Sequence, residues 1–201
     1  MKIILISNPT NIPKEHDVIN ALFENGLDYF HVRKPEATED EMFSYIKNIK
    51  PFYLRKTSIH SHFKLIEKYN IGGVHLPEKL RTDPSVKEII KAANKRGIRI
   101  TTSIHVDSDL SGLKGFDYLL ISPIFDSISK VNYKGIEHER LNKLISQVRS
   151  ISNSPLIGLG GIDQHNLSQI SEFDLNGIAV LGAIWKPFEQ HQDIQTTVKK
   201  I

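Results

Sequence analysis

The stretch Asp117-Tyr118-Leu119-Leu120-Ile121-Ser122 is apolar at four successive positions and ends on a hydroxyl residue. A strand with one face in water alternates polar and apolar side chains. An unbroken apolar run needs cover on both faces, the condition of a strand in a parallel sheet flanked by helices. Ile3-Ile4-Leu5-Ile6 reads the same way. Working outward, short β-branched runs alternate with longer amphipathic, charged segments along the chain, and strands are predicted at 2–7, 28–33, 56–60, 73–76, 98–103, 117–122, 155–159 and 177–181. Eight strand–helix pairs predict a single-domain (β/α)8 TIM barrel of the α/β class over residues 1–201, near the short limit for that fold. An open doubly wound sheet is the alternative. It lacks the glycine-rich turn expected after its first strand, where Ser7-Asn8-Pro9-Thr10 stands instead.

Local signals agree with this order. Thr38-Glu39-Asp40-Glu41 predicts a capping box, and Asp83-Pro84 an N-cap followed by a proline at the first helical position. Gly26, Gly72 and Gly97 each stand between a helical stretch and a strand, where a left-handed cap is expected. The last helix is expected to begin near Pro187.

Composition excludes several classes. The chain has 201 residues and no cysteine, so disulfides, thiolate metal sites and cysteine nucleophiles are absent. Its 26 Lys+Arg against 23 Asp+Glu give a formal charge of +3, with the bases dispersed, which argues for no nucleic-acid partner. The apolar start at 1–6 is about a third of a membrane span, so no membrane association is expected and the chain reads as cytoplasmic.

In a barrel the functional side chains stand at the C-terminal ends of strands. Those ends carry His31 and Arg33, His60 and His62, His75, then Ser103 and His105. Period-two alternation puts His31 and Arg33 on one face of their strand, with Phe30 and Val32 toward the helices. Carboxylates are scarce beside the histidines and no outer partner for them is visible, so they are read as neutral hydrogen-bonding groups and no metal ligand is assigned; His75 reads as a structural histidine. Gly160-Gly161 after the seventh strand, and Leu181-Gly182 after the eighth, place backbone N–H groups where barrels hold phosphate. The long polar segment 126–135 contains Ser127, Ser129 and Lys130, a further phosphate-binding set on a loop suited to act as a lid.

These motifs in this order resemble the thiamine phosphate synthase/TenI family: His31-Val32-Arg33, Gly73-Val74-His75-Leu76, Ser103-Ile104-His105, Ser122-Pro123 through Lys130, Gly160-Gly161-Ile162 and Gly177-Ile178-Ala179-Val180. The resemblance covers nearly the whole chain. It implies a transferase of thiamine biosynthesis that joins a hydroxymethylpyrimidine pyrophosphate to a thiazole phosphate, with Mg2+ assisting departure of pyrophosphate. Its TenI branch implies instead a thiazole tautomerase working by acid–base catalysis, and a non-catalytic thiazole-phosphate-binding protein is the third possibility. Small phosphorylated substrates are the expected partners. The resemblance directs His31, Arg33 and Lys34 to the pyrimidine pyrophosphate, and Ser127, Ser129, Lys130, Gly161 and Gly182 to the thiazole phosphate. Lys130, His60 and His105 complete the catalytic candidates; Ser103, Gly160 and Leu181 complete the substrate-binding ones. Where the synthases carry an Asn-Asp pair after the third strand this chain has His60-Ser61, and their second acidic ligand falls near Leu80, with Glu78 the nearby carboxylate. The TenI proton donor after the sixth strand corresponds to Pro123.

Overall fold

A computed structural model describes residues 1–126 and 134–199. Ser127, Ser129 and Lys130, expected to bind phosphate, lie outside the described residues. Eight strands, β1 (Lys2–Ile6), β2 (Tyr29–Val32), β3 (Thr57–Ile59), β4 (Gly73–Leu76), β5 (Arg99–Ile104), β6 (Tyr118–Ile121), β7 (Leu156–Leu159) and β8 (Gly177–Val180), pair in parallel and in chain order into a closed barrel. Closure runs through β1 and β8, with Lys2 opposite Gly177 and Leu5 opposite Val180. All eight predicted strands are present, most of them a residue or two shorter at an end.

The helices are α1 (Glu15–Glu24), α2 (Glu39–Lys47), α3 (Leu65–Lys68), α4 (Lys87–Lys95), α5 (His138–Ile151), α6 (Gly182–His191) and α7 (Ile194–Val198). The expected helix after every strand is not formed. Between β7 and β8 the described structure is a 3-10 segment, Leu167–Glu172, and residues 105–117 after β5 contain no helix. There Gly112 and Gly115 take positive φ while Leu113 and Phe116 pack inward, so the connection covers the barrel without a helical ladder. Thr38 forms both halves of its capping box with Glu41. Gly26 and Gly97 adopt positive φ as expected, but Gly72 does not. Its glycine is required by contact instead, since a Cβ there would lie 1.8 Å from the Arg55 carbonyl oxygen. The last barrel helix begins at Gly182, ahead of Pro187, because Leu181 passes directly from β8 into α6. The Trp185 indole then fixes α6 by donating to the Ile6 carbonyl at 2.7 Å. Among the described residues no helix is long and apolar enough to cross a membrane.

Strand alternation separates two apolar cores. Phe30, Val32, Ile59, Val74, Leu76 and Leu119 belong to the large core shared with the helices, as expected for Phe30 and Val32. Ile4, Ile6, Leu120, Ile157, Ala179 and the Tyr118 ring fill the barrel interior on the side of β1 and β6–β8. The facing side, from β2 to β5, is polar: His31, Ser58, His75 and Thr101 are all buried.

The seam that closes the barrel has no room for a side chain at position 177, where a Cβ would meet the Lys2 carbonyl oxygen at 2.4 Å. Gly177→Ala is expected to destabilise the fold by about 1–3 kcal/mol through overpacking. Urea unfolding checks this as a lower midpoint with an unchanged slope.

Candidate functional site

A cavity of about 530 Å³ opens at the C-terminal rim. Ile6, Leu120, Leu159 and Ala179 supply its apolar wall and Arg33, His60, His75, Ser103 and His105 its polar one, so the cavity continues the division of the barrel interior. Gly160, Gly161, Leu181 and Gly182 line the same space. Gly160 and Gly161 stand at φ 103° and 69°, a left-handed region open to glycine at little cost. A Cβ on Gly161 would meet the Asp126 carbonyl oxygen at 2.3 Å. The carbonyls of both glycines are already taken, by Phe125 N–H at 3.0 Å and by the Asn166 side-chain amide at 2.7 Å. The first turn of α6 has no side-chain cap. Leu181 and Gly182 at its start line the cavity, so the positive end of the helix dipole lies beside it, an arrangement suited to a phosphate.

The floor is a histidine network. His31, fully buried on β2, places Nδ1 2.9 Å from His60 Nε2 and Nε2 against the Tyr118 hydroxyl. His75 on β4 bonds Thr101 Oγ1 through Nδ1 at 2.9 Å and Ser103 Oγ through Nε2 at 2.8 Å. The His60 and His75 rings stack with centroids 4.1 Å apart. Burial lowers all three pKa values: those of His31 and His60 fall well below the ordinary imidazole value, and that of His75 falls to about 3. Neighbouring charge adds to the effect, from Arg99 on His31 and from Arg33 on His60 and His75. The three rings are neutral near pH 7, as the sequence suggests. His31, however, does not reach the cavity and lies one layer beneath His60. His75, expected to be structural, lines the cavity with Ser103.

One site residue, Lys34, occupies a position that the sequence does not foresee. Lys34 contributes to the cavity wall, but its ammonium turns away from the cavity, 2.7 Å from Glu15 and 2.8 Å from the Thr10 carbonyl oxygen, with both members of the ion pair buried. The expected Lys34 contact with a pyrophosphate is therefore corrected: a buried ammonium is held by the partner that neutralises it. At the rim His105 is half-exposed, and its Nδ1 meets a Glu78 carboxylate oxygen at 2.8 Å. Burial acts to raise the Glu78 pKa, but hydrogen bonds from His105 and Ser108, with the charges of His105 and Arg81, hold it below the usual carboxylate value. Lys79, beside Glu78, also lines the cavity and escaped notice in the sequence. Tyr118 is the other omission, although the alternation Tyr118, Leu120, Ser122 already places it inward. His62 lies away from the cavity and bonds the Ala37 carbonyl through Nε2 at 2.8 Å.

Magnesium takes oxygen ligands in near-octahedral geometry, usually one or two carboxylates together with substrate phosphates. Glu78 is the one carboxylate among the described lining residues, and it is committed to His105. Imidazole and hydroxyl groups stand where magnesium would require acids, so these residues do not fit the ion.

Fold and site together define a (β/α)8 barrel whose rim cavity combines an apolar wall with an anion-suited glycine cradle. The chain belongs to the thiamine monophosphate synthase family, whose model matches residues 3–184. It is 28% identical over 166 residues to a thiamine-phosphate synthase of Bacteroides fragilis, covering 80% of each chain. To the Clostridium tetani thiamine-phosphate synthase it is 25% identical over 181 residues, 87% of this chain and 83% of the relative. Among solved structures, thiamine phosphate pyrophosphorylase from Bacteroides thetaiotaomicron superposes with a TM-score of 0.75 at 30% identity, covering 100% of this chain and 93% of that one.

Lys34→Met leaves the Glu15 carboxylate buried without its partner, which is expected to cost about 3–5 kcal/mol of stability. Denaturant unfolding measures it; a loss under 1 kcal/mol would show that Glu15 finds another partner or water.

Proposed function

We propose that this protein is a cytoplasmic transferase of thiamine biosynthesis, acting as one domain over residues 1–201 on small phosphorylated substrates. In this reading it joins a hydroxymethylpyrimidine pyrophosphate to a thiazole phosphate. The observation that carries it is the cradle of Gly160, Gly161 and the uncapped start of α6, opening beside an apolar wall. That pairing suits a flat heteroaromatic ring bearing a phosphate. Family membership supplies the reaction.

In that reaction the methylene carbon–oxygen bond of the pyrimidine breaks, pyrophosphate leaves with the electron pair, and the thiazole nitrogen lone pair forms the new carbon–nitrogen bond. Charge develops on the leaving oxygens, where preorganised cations stabilise it most. Among the described residues Arg33 and Lys79 are the cavity-lining cations not held in a buried pair, and Lys130, outside the described residues, is assigned to the same task. The apolar wall of Ile6, Leu120 and Ala179 excludes water that would otherwise capture the pyrimidine cation.

A second reading, thiazole tautomerisation, is favoured by one observation. Glu78 holds His105 by Nδ1 at 2.8 Å, an arrangement that orients an imidazole for proton transfer. Because the Glu78 pKa is depressed, its share of that arrangement is complete above the ordinary carboxylate pKa and is lost as pH falls through the lowered value.

Purified protein incubated with both phosphorylated substrates, with and without added magnesium, is expected to form thiamine phosphate. Arg33→Ala is expected to lower kcat/KM by about 10²-fold or more, the scale of losing one transition-state charge partner. Absence of product under both conditions overturns the transferase reading. Metal-independent isomerisation of a thiazole carboxylate phosphate, abolished in His105→Ala and weakened in Glu78→Gln, would establish the second.

A further inference from the structure

We propose that His31, His60 and His75 bind a divalent first-row transition ion of the zinc(II) type at the floor of the rim cavity. Adjacent strands β2, β3 and β4 bring the three imidazoles together, and one ring nitrogen of each lies within 4.8 Å of the others.

Outer hydrogen bonds already orient two of the rings for this role. Thr101 Oγ1 donates to the Val74 carbonyl and so accepts from His75 Nδ1–H, which leaves the His75 Nε2 lone pair to accept from the Ser103 hydroxyl at the cavity, a contact that the ion replaces. His31 engages Tyr118 through Nε2, which leaves Nδ1 on the side of His60. A hydroxyl or carbonyl partner on the far nitrogen is the usual way a protein fixes the tautomer and aim of a ligating histidine.

The metal-free packing is slightly collapsed relative to a loaded site. With bonds of 2.0–2.1 Å, tetrahedral ligands stand about 3.3 Å apart. The 2.9 Å contact between His31 Nδ1 and His60 Nε2 therefore opens, and the longer separations close. The stacked His60 and His75 rings cannot both hold one ion in plane, so His60 turns about χ2 as the ion enters. His60 Nδ1 has no hydrogen bond among the described residues, and the turn exchanges only the His31 contact for a metal bond.

Donor chemistry selects the ion. Imidazole suits zinc, cobalt, nickel and copper, whereas magnesium demands oxygen. Three histidines leave a fourth position, which opens to the cavity as in catalytic zinc sites. With Arg33 close by and no carboxylate in the ligand set, that position takes an anion, hydroxide or a phosphate oxygen.

The site is tested by its own spectroscopy, apart from any turnover. Untagged protein titrated with cobalt(II) is expected to bind one ion per chain with the visible ligand-field absorption of a four-coordinate centre, displaced by zinc(II) and unaffected by magnesium. His60→Gln and His75→Gln, checked for native circular dichroism, are each expected to lose at least about 10-fold in affinity. Thr101→Val, which removes an outer partner, is expected to weaken binding about 10–100-fold. His165→Ala and His191→Ala, on the surface, leave it unchanged. Wild-type protein that takes up no stoichiometric cobalt or zinc overturns the proposal, as does binding that survives both glutamine variants.

Discussion

An imidazole with no contact to solvent must find a partner for each ring nitrogen inside the protein, because leaving one unpaired costs about 1–3 kcal/mol. His31 meets that demand with the Tyr118 hydroxyl on one side and His60 on the other. These partners come from β6 and from the residue that follows β3, so the requirement reaches across the barrel. Tyr118 serves both environments: its ring belongs to the apolar interior with Leu120 and Ile157, while its hydroxyl reaches the polar sector. His75, Thr101 and Ser103 extend that sector along β4 and β5. The interior is thus divided lengthwise, and the rim cavity inherits the division as an apolar wall facing a polar one.

This division sets what the site can do. The apolar side suits an aromatic ring, while Gly160 and Gly161 at positive φ and the start of α6 are suited to an anion. The polar side offers imidazole and hydroxyl in place of carboxylate. Here His60-Ser61 occupies the segment where the family resemblance leads one to expect Asn-Asp, and Glu78 is spent on His105. Glycine positions are fixed by backbone contacts that no side chain can relieve, whereas rim side chains are free to change with the reaction.

Much of the fold was legible because strand burial leaves a direct mark. Ile3 to Ile6 and Tyr118 to Ile121 are apolar on both faces since each strand separates the interior from the helices, and all eight strands lie within a residue or two of the ranges that the sequence predicts. The missing helix after β5 was not legible: Leu110, Leu113 and Phe116 have near-helical spacing, yet positive φ at Gly112 and Gly115 breaks the ladder. At the site, position at the C-terminal ends of strands places His60, His75, Ser103 and His105 at one rim, where they line the cavity. Lys34 was misread because its partner Glu15 lies on another element, and an ion pair between distant segments leaves no local pattern. Tyr118 and Thr101 passed as ordinary strand residues, since their importance arises only once the barrel closes and sets them against histidines.

The central claim is that one cavity holds a ring against the β1/β6/β8 wall and its phosphate on the β7 and β8 loops. A crystal soaked with thiazole phosphate tests it most directly. The account predicts phosphate oxygens on the backbone of Gly160, Gly161 and Gly182, with the ring against Ile6, Leu120 and Ala179. Phosphate bound elsewhere on the barrel, or a ring packed among His60, His75 and Ser103 with the glycine cradle empty, would contradict it.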